Sequence, residues 1–368
     1  FPHRLEDLIV LQRAVEENPE DAKGFYYLGN LWYDKRQYEE AVMCWEKSRA
    51  LEPGFATVHR NLSLAYYNKM EQKQEAAEEL RRAFELDPSD ARVFMELDQL
   101  CKRMGVTPEK RLAAYESHLD VVTERDDLYL EYITLCNYFG KHDKALELIE
   151  SRHFHPWEGG EGKVPAQYVC ALSGLGRAAL RAGDALGALE LFKRALRYPH
   201  NLGEGKLAGA QENDIYYYMG KAYRAMGEEK EAEECFLHAA SGLSEPAGMM
   251  YYNDQPPETI FYQGLALAAL SKKAEADGRF HRLIDYGETH LDDHVTIDYF
   301  AVSLPDLLIF EDDLDRRNRV HCLFMRGLGL LGKRETMEAE RCFAEAEALD
   351  VNHPGVHLHR ELLRTGNL

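Results

Sequence analysis

The residue types that could do chemistry gather in three loops of this 368-residue chain. The tetrad Gly-Glu-Gly-Lys stands at 160–163 and again at 203–206. Beside the first are His153, His155, Trp157 and Lys163; beside the second are His200, Asn201 and Lys206. A third stretch, 241–256, carries Tyr251, Tyr252, Asn253 and Asp254. Aromatic rings next to amide and ammonium groups suit two tasks: stacking on and hydrogen-bonding a sugar, or walling in an anion. A phosphate-binding P-loop is excluded. That motif needs Gly five residues before its last Gly and Ser or Thr after the Lys. Trp157 and Val164 stand there instead. His290, Asp292, Asp293 and His294, and the pair His357 and His359, have the types of metal ligands, but the same types are ordinary solvated groups near helix ends. No Ser/His/Asp or Cys/His set can be placed, and nothing singles out a carboxylate pair among 64 acidic residues. The reading is therefore non-catalytic, with no metal and no cofactor.

Composition narrows the partners. The net charge is −20, which argues against nucleic acid, because a phosphate backbone selects a basic face. No apolar run approaches the roughly 18 residues that read as a membrane span. Seven cysteines, an odd number with no Cys-x-x-Cys, read as reduced core thiols of a cytoplasmic protein. The chain opens Phe1-Pro2-His3, which reads as a piece of something longer.

The elements that must position those loops are helices, and they repeat. A small residue recurs as Ala41, Ala76, Ala145, Ala188, Ala232, Ala276 and Ala339. Four places later stands a large apolar one: Trp45, Leu80, Ile149, Phe192, Phe236, Phe280 and Phe343. Upstream lies a glycine at 29, 176, 220, 264 and 327. Small residues let two helices approach; the large one fills the space between hairpins; Pro53 stops a second helix. The pattern resembles the tetratricopeptide repeat. It implies an all-α, right-handed α-solenoid of antiparallel helix pairs, with seven clear units and a degenerate one at about 91–125 built on Tyr115. The alanine spacing widens from 35 residues near the start to 43–44 in the second half. Insertions in solenoids fall in loops on one face, so the two tetrads should lie side by side. The expected organisation is a truncated repeat at 1–21, a plain array at 22–152, expanded loops at 153–290, an apolar insertion at 291–319, and a last repeat with a capping helix at 320–368. The insertion "DYFAVSLPDLLIF" should be buried and "EDDLDRRN" should form a solvated turn.

The resemblance also implies which residues face the groove. They are Arg177, Arg181, Tyr217, Lys221 and Arg224 in the fifth and sixth units, four cations within an acidic chain. Either glutamates of the loops pair with them, or they take an acidic peptide or anionic small molecule. Chaperone-binding domains of this family hold a terminal carboxylate. Here Asn30, Asn61 and Arg92 match that motif, while Tyr26 and Glu96 depart from it. Asn30 and Asn61 therefore read as donors to an extended peptide backbone. Residues 150–330 resemble the C-terminal repeat region of large bacterial proteins with a β-rich N-terminal domain of unknown function. The expectation is a protein-interaction scaffold that contacts a protein, an acidic peptide or its own N-terminal domain. The other reading is an accessory domain of a carbohydrate-active enzyme, whose Trp157 and Tyr251 hold a sugar.

Overall fold

The computed structural model of the chain describes residues 2–157, 159–207, 209–248, 254–296 and 309–366. Among them are nineteen α-helices and no strand. Helix α1 (Leu5–Glu17) precedes eight pairs. These are α2 (Ala22–Asp34) with α3 (Tyr38–Leu51), α4 (Ala56–Lys69) with α5 (Lys73–Leu86), and α6 (Ala91–Arg103) with α7 (Pro108–Ser117) and the short α8 (Leu119–Val122). Next come α9 (Asp126–Tyr138) with α10 (His142–Glu150), α11 (Lys163–Arg181) with α12 (Ala185–Ala195), and α13 (Asn213–Ala225) with α14 (Glu229–Ala239). The last pairs are α15 (Pro257–Ala269) with α16 (Lys273–Thr289) and α17 (Leu314–Gly332) with α18 (Thr336–Leu349), followed by α19 (Pro354–Thr365). The fold is an all-α tetratricopeptide-type solenoid.

One contact explains the repetition. Each glycine of a first helix lies under the aromatic residue of its second helix. A Cβ at Gly29, Gly176, Gly220 or Gly327 would sit 2.5–2.6 Å from Trp45, Phe192, Phe236 or Phe343. The rings of Phe192, Phe236 and Phe343 are wholly buried. Truncating one such ring costs about 3–5 kcal/mol. The third pair lacks this contact. Instead, the Arg111 guanidinium on α7 donates two 2.7 Å hydrogen bonds to Asp98 on α6, and both residues are buried. Tyr115 fills the core beside them. Four helices begin on an aspartate, at positions 21, 90, 184 and 313, whose carboxylate accepts a backbone N–H of the first turn.

The described chain forms two compact units, one of residues 2–128 with 309–312 and the other of 129–296 with 313–366. The stretch expected to be a charged solvated turn is divided. Residues 309–312 belong to the first unit, Asp313 caps α17, and Leu314 onward is helical, with Asn318 buried. An N-cap aspartate ahead of an amphipathic run outweighs the charge density that suggested a turn. The apolar residues 297–308 lie outside the described residues.

Candidate functional site

In the second unit, the residues of the basic cluster do not share one environment. Arg177 on α11 is buried, with its guanidinium carbon 5.7 Å from the Tyr218 ring centroid. Lys221 is half-buried and lies 5.7 Å from the Tyr217 and Tyr218 ring centroids. Tyr217 itself is buried. Arg224 is exposed, over Phe236, with an ion pair to Glu229 at 3.4 Å. Arg181 is exposed as well. Around Arg177 lies a polar cluster that the sequence did not announce. The Tyr218 and Tyr262 hydroxyls are 3.4 Å apart. Burial raises the Asp214 carboxyl above its usual value and pushes Glu258 up to about 7.

Helix α19 covers this cluster. The buried His359 ring lies against Phe261, Tyr262 and Phe324. Its Nδ1 is 2.8 Å from the Gly355 carbonyl, and its Nε2 is buried with no partner among the described residues. Burial holds this imidazole down to about 4, so it is neutral. At the other side of α19, the His357 ring stacks on Tyr138 of α9 at 3.9 Å, and the Tyr138 hydroxyl donates to the Val351 carbonyl at 3.1 Å. His359 is thus a packed histidine; among the described residues no cluster of three ligand-type side chains is placed to hold a metal.

The two tetrads lie side by side. The Gly162 N–H donates to the Glu204 carboxylate at 2.8 Å, and the Phe154 N–H donates to the Asn201 carbonyl at 2.8 Å. The Asn201 amide reaches back to the carbonyls of Ile149 and Arg152 at 2.8 and 2.9 Å. Gly203 has φ 77° and abuts the Phe154 carbonyl, a position that admits no side chain. Trp157 is half-buried over Gly160, rather than a flat exposed platform. Lys163 opens α11, and Lys206 binds Glu212 and the Leu196 carbonyl. Tyr251 and Asn253 lie outside the described residues.

In the first unit, Asn30 and Asn61 are engaged with each other. The Asn30 carbonyl accepts from the Asn61 amide and from Trp45 Nε1, both at 3.1 Å. Glu96, wholly buried, is held by Arg60 in two 2.5 Å hydrogen bonds and by Arg92 at 3.0 Å. A second polar face lies further along the same helices, where α4 and α6 end. There Asn68 binds a backbone in both directions. Its Nδ2 donates to the Ile309 carbonyl, and its Oδ1 accepts the Glu311 N–H, each at 2.8 Å. Between these contacts Phe310 is wholly buried, edge-on to Tyr67 with centroids 5.2 Å apart. Lys69 pairs with Glu311, and Arg103 donates to Asp312 at 2.8 Å. Sequence reasoning missed this site. The available signal was an acidic run, Glu311–Asp313, directly after an apolar one.

No protein-family model matches the chain. Among solved structures it is similar to YrrB, "a TPR protein with an unusual peptide-binding site", at 18% identity and TM-score 0.37, over 62% of this chain and 96% of that one. It is similar to a tetratricopeptide repeat protein from Parabacteroides merdae at 13% identity and TM-score 0.34, over 71% and 91%. It is also similar to Naa15/Naa10 bound to HypK-THB at 10% identity and TM-score 0.43, over 98% and 64%. Likeness at this level bears on no functional point. No helix among the described residues is long and apolar enough to cross a membrane.

Proposed function

We propose that the chain is a non-catalytic protein-interaction scaffold that binds an extended segment of a partner protein. One observation carries this reading. At the ends of α4 and α6, a single side-chain amide, Asn68, grips the carbonyl of residue 309 and the N–H of residue 311. Gripping backbone at alternate residues is how a helical-repeat surface holds an extended peptide irrespective of its sequence, while flanking pockets choose side chains. Phe310 between the two contacts occupies such a pocket. The sugar-binding alternative is not favoured, since Trp157 packs over Gly160 instead of facing outward. The test is display selection of random peptides on the full chain, repeated on Asn68→Ala. The reading expects an enriched consensus that is lost in the variant. No enrichment on either protein, with both folded by circular dichroism, would overturn it.

A further inference from the structure

Building on that reading, we propose that the face formed by Tyr67, Asn68, Lys69 and Arg103 selects an extended segment of the form aromatic–acid–acid. Residues 309–312 are its built-in occupant, which a partner segment of the same chemistry displaces. Tyr67 takes an aromatic side chain in a T-shaped contact; Lys69 and Arg103 follow at positions that meet the next two residues of the bound strand. Lys73 adds a third cation, 5.6 Å from the Tyr67 ring centroid. In a chain of net charge −20 this is a local reversal of sign, and it is matched by the occupant's Glu311 and Asp312.

Each subsite has one chemical requirement. The aromatic pocket excludes water from Phe310 altogether, so a charged or short side chain there loses the buried area. The Asn68 contacts demand an N–H and a carbonyl two residues apart, so proline at the position directly after the aromatic, where Glu311 stands, is excluded. Lys69 and Arg103 favour carboxylates and penalise lysine.

The occupant is imperfect, which is why displacement is possible. Its hold includes one aromatic ring, two backbone hydrogen bonds and two ion pairs. Glu311 is exposed, with 63% of its side chain open to solvent. Arg103 Nε is buried without an acceptor among the described residues. A partner that brings a carboxylate to both edges of that guanidinium would complete it. Tethering works the other way. An attached occupant competes at an effective concentration on the order of millimolar, so the apparent affinity for a free segment is lowered by the fraction of sites already filled.

The test uses the full chain and a fluorescein-labelled peptide of the sequence LLIFEDDL, residues 307–314, read by anisotropy. The wild-type chain should bind weakly. The variant Phe310→Ala/Glu311→Lys, which releases the occupant, should bind at least tenfold more tightly. Adding Asn68→Ala to that variant should abolish the gain. A peptide with lysine in place of its three acids should bind at least tenfold more weakly to the released variant. If the double substitution perturbs folding, Glu311→Gln/Asp312→Asn, at partly exposed positions, should still tighten binding several-fold. Equal binding by wild-type and released chains would overturn the built-in occupant. Equal binding of acidic and lysine peptides would overturn the selectivity while leaving the scaffold reading intact.

Discussion

Lowering the pH from 7 to 5 probes the polar interior of the second unit. His321 and His359 are buried, and burial holds both imidazoles down to about 4. They are neutral in the folded chain but regain a value near 6.5 when it unfolds. Below 6.5 the unfolded state therefore binds more protons. The contribution of each histidine is intact above that pH and is lost as pH falls towards 4. Between pH 7 and 5 the loss is about 2 kcal/mol per histidine. Glu258 has the opposite sign. Its carboxyl titrates near 7 when folded, against 4.5 otherwise, so its burial penalty grows as pH rises between those values. The same acidification relieves that penalty by at most about 2 kcal/mol. His142, held down to about 4 chiefly by burial, adds to the loss, while Asp214, raised by burial, works with Glu258. The wild-type chain should therefore lose stability from pH 7 to 5, and Glu258→Gln should lose more, by at most about 2 kcal/mol. The variant should also be the more stable protein at pH 7. Urea unfolding followed by circular dichroism at the two pH values measures both. A pH dependence in Glu258→Gln that is equal to or shallower than in the wild type would refute the assignment of opposed histidine and carboxyl contributions.

Further outcomes follow from single contacts. Gly220→Ala places a methyl 2.6 Å from Phe236 and should cost about 1–3 kcal/mol in thermal unfolding. The helical Gly278, with open space around it, should instead stabilise by up to about 1 kcal/mol on the same change. Asp98→Ala removes two hydrogen bonds from the buried Arg111 guanidinium and should destabilise by about 1.5–3 kcal/mol, with α6 and α7 losing hydrogen-exchange protection first. Tyr138→Ala removes the stack on His357 and the hydrogen bond to Val351. Amides of α19 should then exchange about tenfold faster, a change that leaves α4 and α6 unaffected.

The fold was legible because its repeating contact is a matter of volume. A glycine, an alanine and one large ring at fixed spacing leave few packings other than a ring laid on a glycine, and Gly220 under Phe236 realises it. The neighbouring tetrads were legible for a similar reason, since equal insertions in consecutive repeats must emerge together. The candidate sites were less so. Asn30 and Asn61 have the right chemistry for a peptide, but Trp45 brings an N–H into a position that Phe or Leu fills elsewhere. A buried indole needs an acceptor, and Asn30 supplies it. That clue was present in the sequence. The burial of Arg177 was not, because it lies against Tyr218 of the following repeat, a contact with no local signature. The grip of Asn68 on Ile309 spans 241 residues, beyond any periodicity.

The measurement that tests the central claim most directly is hydrogen exchange at the Glu311 amide in the full chain, for the wild type and for Asn68→Ala. If Asn68 holds an extended segment, that amide is protected in the wild type and exchanges at least tenfold faster in the variant, with α2–α5 unchanged. Equally rapid exchange in both proteins would mean that this face holds no peptide backbone, and the account would fail at its foundation.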